Sequence, residues 1–121
     1  MEKIFNETEA LSRLGDNRDL LLKISAYFVG YAKTQIDLLR DSFISDDFER
    51  MRFITHKLLG SIANFGANSA YAAGLKLQDA LERDHKELIP DLYRAYIKRV
   101  EKLQAELTEF SKGVEPPEIN S

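Results

Sequence analysis

Apolar residues recur at spacings of three and four along almost the whole sequence, and this periodicity most narrows the folds open to it. Strand-like alternation is absent. No Asn-Gly or Asp-Gly hairpin pair occurs, and the only prolines are Pro90, Pro116 and Pro117. Such a chain buries its apolar surface by packing helices. Asn6 is placed to cap a short helix over Glu7–Leu14, stopped at Gly15. Asp16 is expected to open a long helix with Leu21, Ile24, Phe28, Ala32, Ile36, Leu39 and Phe43 on one face. Gly30 inside it costs about 1 kcal/mol relative to Ala, which close packing would offset. Asp46 is expected to cap a third helix running to about Phe65, with Gly66 as its stop. Asn68 or Ser69 starts a fourth, with Ala70, Ala73, Leu77 and Leu81 inward. The fifth starts near Lys86, carries Pro90 in its first turn, and shows Ile89, Tyr93, Tyr96, Val100, Leu103, Leu107 and Phe110. Short connections make neighbouring helices antiparallel. The expected fold is therefore all-α: an up-and-down four-helix bundle over residues 1–113, with the short first helix as a lid on one end. The tail over 114–121 is expected to be extended or disordered.

The 121 residues suffice for one domain with one core. The formal charge of −3 disfavours non-specific nucleic-acid binding, which needs a basic face. The chain contains no Cys, which excludes disulfides, thiolate metal sites and cysteine nucleophiles. The longest charge-free stretch, Leu58 to Leu75, carries three Gly, two Ser and two Asn, and does not read as a membrane span. No secretory signal pattern opens the sequence, so a soluble, cytoplasmic location is expected.

The third helix holds the unusual chemistry. At ~100° per residue, Met51, Ile54, Leu58, Ile62 and Phe65 cluster on a side centred roughly 160° from His56. His56 therefore points outward. Its surroundings are unlike an ordinary solvated face. Phe53 and Leu59 flank it on either side, Gly60 follows one turn on and Ala63 two turns on, with Glu49 and Arg52 behind. Apolar residues exposed in this way mark a docking surface. A glycine beside the imidazole leaves room for another molecule to approach.

An exposed imidazole is mostly uncharged at neutral pH, and one ring nitrogen keeps a lone pair able to attack activated phosphorus. The only other histidine, His85, falls in the connection before the last helix, so neither a catalytic triad nor a metal site can be argued. The six glycines fit no phosphate-binding or dinucleotide pattern. A nucleophile and a docking surface without means to bind ATP suit a phosphoryl carrier better than a kinase. Two bland readings stand beside this one. Arg52 and Lys57 read first as solvated helix charges, and Tyr71, Tyr93 and Tyr96 as core or rim packing.

The stretch His56-Lys57-Leu58-Leu59-Gly60-Ser61-Ile62-Ala63-Asn64-Phe65-Gly66-Ala67 resembles the signature of histidine-containing phosphotransfer (HPt) domains. It matches at His56, Leu58, Gly60, Ser61, Gly66 and Ala67. The resemblance extends to the short opening helix with its Leu-Gly, the long second helix and the Leu77-Gln78 step in the fourth. Leu59 departs from it, standing where the family usually has Lys. The resemblance implies a phosphorelay intermediate. His56 would accept a phosphoryl group from a receiver-domain aspartyl phosphate and pass it to another receiver. Gly60, Ser61, Lys57 and Arg52 would support the site, and Phe53, Leu59 and Ala63 would meet the partner. The implied partners are response-regulator receiver domains and a hybrid sensor histidine kinase, with no nucleic acid and no membrane. No cofactor is implied for this chain, Mg²⁺ belonging to the receiver. Leu59 leaves an alternative open: a receiver-binding module that has lost transfer. An enzyme using His56 as general base is a further alternative, but it lacks a partner acid in the sequence.

Overall fold

The computed structural model describes residues 3–117. Helices α1 (Glu7–Arg13), α2 (Arg18–Ile44), α3 (Phe48–Ile62), α4 (Asn68–Glu82) and α5 (Ile89–Phe110) follow one another, with single 3₁₀ turns at Ala63–Phe65 and Lys86–Leu88. Helix α2 packs on α3 and α5, and α4 packs on α3 and α5, so the four long helices occupy the corners of a square. This is the expected all-α bundle. Its core is drawn from the predicted faces. Leu21, Phe28 and Leu39 of α2 meet Met51, Leu58 and Ile62 of α3, Leu77 of α4, and Tyr96, Val100, Leu103 and Leu107 of α5.

Two helix starts lie beyond the predicted residue. Asp16 and Asp46 are not caps. Both adopt left-handed backbone, with φ of 61° and 55°, and the next residue caps instead. Asn17 accepts from the Leu20 N–H and Asp47 from the Arg50 N–H. Reversing direction in a short connection needs a left-handed residue, and after Gly, Asp and Asn tolerate it best. Asp84, at φ 59°, plays the same part after α4. Gly30 also differs from expectation. It is exposed on α2, and a Cβ there would meet nothing within 4 Å, so it serves no close packing.

The N-terminal segment closes one end of the bundle, as the lid reading required. Asn6 caps α1 by accepting from the Glu9 N–H, and its own N–H donates to the Phe65 carbonyl at 3.1 Å. The buried ring of Phe5 lies 4.9 Å from that of Phe110 and 6.4 Å from that of Phe65, centroid to centroid. The Glu106 carboxylate of α5 accepts from the backbone N–H groups of Ile4 (3.0 Å) and Phe5 (2.7 Å). These contacts hold the turn after α3 and thereby the C-terminal end of the helix bearing His56. At the other terminus Val114–Pro117 have no regular secondary structure, and the rest of the expected tail, 118–121, lies outside the described residues.

Candidate functional site

Helix α3 earns its orientation from its composition. Met51, Ile54, Thr55, Leu58, Leu59 and Ile62 are buried, which leaves the opposite side to Arg52, Phe53, His56, Lys57 and Gly60, all exposed. His56 sits about midway along the helix. Phe53, one turn before it, is 64% exposed, an unusual state for so large an apolar side chain. The Lys57 ammonium lies 5.4 Å from the Phe53 ring centroid, a cation–π contact that holds both side chains on the surface. A Cβ on Gly60 would meet no atom within 4 Å. The glycine therefore answers no packing need inside the monomer, although it weakens the helix.

The imidazole does not stand on a flat wall. Glu49, Arg52, Phe53 and His56 of α3 and Gln78 and Glu82 of α4 line a shallow open cleft of ≈ 300 Å³ between the two helices. Gln78 Nε2 donates to Glu82 Oε1 at 3.2 Å, while Gln78 Oε1 is buried without a partner among the described residues. Arg52 makes no ion pair within 4 Å among those residues, and it shares the cleft with the carboxylates of Glu49 and Glu82. No three His, Cys, Asp or Glu side chains among the described residues are grouped to hold a metal ion. The cleft thus joins a nucleophilic ring nitrogen, one cation, an amide and the carboxylates of Glu49 and Glu82, with an apolar aromatic beside them.

Two predicted site residues, Leu59 and Ala63, stand elsewhere than expected, while Ser61 lies at the edge between core and surface. Leu59 is only 4% exposed. Its Cδ2 would be 2.5 Å from a Cβ on Gly74, so it seats against the bare backbone of α4 and neither flanks the ring nor meets a partner. The apolar stripe of α3 is wider than the helix wheel allowed, because α4 packs along that flank and brings a glycine to meet the leucine. Ser61 is half-buried on the flank away from the cleft, about 140° round from His56. Its hydroxyl makes no hydrogen bond among the described residues, neither to the site nor back to its own helix. Ala63 is half-buried in the 3₁₀ turn that follows α3, beyond the last full helical residue. His85 is exposed before the second 3₁₀ turn and lines no part of the cleft.

Gln78 and Glu82 were not predicted as site residues. Their signal was present in a form one helix cannot reveal: they share an edge of α4 at i and i+4, and only its pairing with α3 sets that edge beside His56. No family model, no curated protein and no solved structure matches the chain.

Proposed function

We propose that this protein is a phosphohistidine carrier: His56 takes a phosphoryl group from the aspartyl phosphate of one receiver domain and yields it to another. The observation that carries this reading is the pairing of an exposed His56 with Gly60, a helix-weakening residue beside open space. A stable bundle gains nothing from either, but a partner that must bring a phosphorus atom to the ring needs both.

In the transfer, the lone pair of one imidazole nitrogen attacks phosphorus. The N–P bond forms, the P–O bond to the aspartyl group breaks, and the carboxylate leaves with the bonding electrons. Running the same step backwards on a second receiver discharges the carrier. Arg52 in the cleft offsets charge on the phosphoryl oxygens, and Lys57, engaged over Phe53, adds positive potential at the rim. The receiver brings its own Mg²⁺ and acidic pocket. A hybrid sensor histidine kinase would supply the first phosphoryl group. Leu59 gives no support to the module that binds without transferring, since its side chain serves the contact between α3 and α4.

The test is to incubate the purified protein with receiver domains phosphorylated by labelled acetyl phosphate and to look for acid-labile, alkali-stable label. Wild-type protein takes up label and His56→Gln does not. Equal labelling of the variant defeats the assignment.

A further inference from the structure

Helix α4 borders two clefts. The one toward α3 holds His56. Toward α5, Ala72, Ala73 and Lys76 of α4 and Leu92, Ala95 and Arg99 of α5 line a shallow groove of ≈ 300 Å³ that begins at Ser69. Lys76 stands two residues before Gln78, about 200° round the helix, so the two clefts open on different sides of α4. From Ser69 to Lys76, and from Leu92 to Arg99, the lining spans seven residues, about 10 Å of helix. The helices run antiparallel, with Gly74 of α4 level with the Tyr96 ring of α5. Arg99 therefore stands at the Ser69 end and Lys76 at the Leu92 end. Between them the floor is alanine.

The charge of this groove is one-sided. No acidic side chain lines it, whereas Glu49 and Glu82 line the cleft at His56. Among the described residues neither Lys76 nor Arg99 has a carboxylate within 4 Å. The sequence of each helix explains this. The acid one turn beyond Lys76 is Asp79, and Arg83 holds it at 2.8 Å. One turn either side of Arg99 stand Ala95, Tyr96, Lys102 and Leu103, none of them acidic. Arg99 Nη1 donates to the Ala95 carbonyl at 3.1 Å, which holds the guanidinium at the groove. In a chain of net charge −3, two uncompensated cations share one groove.

We infer that the α4–α5 groove is a second docking surface, and that its occupant is an acidic helix of a partner protein. Carboxylates seven residues apart on such a helix share a face and stand about 10 Å apart, the length of the groove between its two cations. An alanine floor lets a third helix pack at the near end of the ~8–10 Å interaxial range. Charge complementarity then fixes its register. A phosphate backbone or a lipid surface carries continuous negative charge and is gripped by many cations, not by two parted by an apolar floor. The occupant leaves His56 open, so the surface stands independently of the phosphotransfer reading.

The test titrates ¹⁵N-labelled full-length protein with an alanine-rich helical peptide bearing glutamates at i and i+7. Comparison probes are the same composition with glutamates at i and i+2, on opposite faces, and phosphatidylglycerol vesicles. The first peptide should shift the amides of Ala72, Ala73, Ala95 and Arg99 saturably. Lys76→Glu and Arg99→Glu should each weaken it about tenfold. Ala72→Gln, which fills the floor from an exposed position, should do the same without changing charge. Lys98→Glu, an equal charge change outside the groove, should bind as wild type does. Thermal melts confirm that each variant folds, and any one groove variant that folds suffices. The inference is overturned if those amides do not move, if the i+2 peptide or the vesicles bind as well, or if Lys98→Glu weakens binding equally. His56→Gln should bind the peptide normally, so failure of the carrier reading would leave this result standing.

Discussion

Three helical glycines of this bundle should answer the same substitution with opposite signs. Gly60 lies within α3, and a Cβ on it meets nothing within 4 Å. Gly60→Ala therefore gains the full difference in helix propensity, about 1 kcal/mol, with no steric penalty to set against it. For a chain of this size that corresponds to a melting temperature higher by about 4 °C. Gly30 of α2 is equally open, so Gly30→Ala should give the same rise and serves as the control. Gly74 is the contrary case. Its Cβ would stand 2.5 Å from Leu59 Cδ2 and 2.7 Å from Tyr96 Cε1. Leu59 can yield, but the Tyr96 ring is wholly enclosed, so overpacking of about 1–3 kcal/mol outweighs the propensity gain. Thermal melts followed by circular dichroism decide the matter, with calorimetry to check two-state behaviour. The functional half of the argument uses Gly60→Glu. It should fold at least as well as wild type yet transfer far more slowly, through bulk and through repulsion with an acidic receiver pocket. A Gly60→Ala protein that melts at or below the wild-type temperature would show that the open space is not open. Unimpaired transfer by Gly60→Glu would remove the account of why a glycine stands beside His56.

The remaining expectations concern single side chains. His56→Gln, besides losing its label, should change stability by less than about 0.5 kcal/mol, because the ring is exposed; urea titration measures this. Leu59→Ala should cost about 2–5 kcal/mol as a buried leucine seated between helices. Leu59→Lys should also lower the melting temperature without raising the phosphorylated fraction, and a clear rise in that fraction would contradict the packing described for this residue. Burial raises the Tyr96 hydroxyl well above the ordinary tyrosine range, and burial likewise raises Tyr93, with the nearby Arg40 opposing it. Both phenols therefore ionise more readily in the unfolded chain. Their contribution to stability is complete below pH ~10 and is lost as pH climbs above it, at up to about 1.4 kcal/mol per pH unit for each group. Tyr96→Phe should flatten that alkaline loss and be neutral or stabilising at pH 7, since the hydroxyl is buried without a partner among the described residues. An alkaline profile identical to wild type would refute this.

Much of the architecture was legible because it is local. Three- and four-residue spacing chooses helix over strand within a few turns, and Asn6, Gly66 and Pro90 punctuate the chain through their own backbone preferences. The outward direction of His56 was legible for the same reason: one helix and its period suffice to separate it from Met51, Leu58 and Ile62. The exchange of roles between Asp46 and Asp47 was not, because either aspartate can cap. The choice between them depends on which one must turn left-handed for α2 and α3 to lie antiparallel. Leu59 shows the limit most clearly. On a single helix it borders the exposed face and reads as a contact for a partner, yet α4 arrives with Gly74 beneath it and takes it into the core. The same approach carries Gln78 and Glu82 to the imidazole from residues more than twenty positions away. A periodic pattern states which side of a helix avoids water; the width of that side, and what stands at its edges, depends on the neighbouring helix and on how closely a missing side chain lets the two backbones approach.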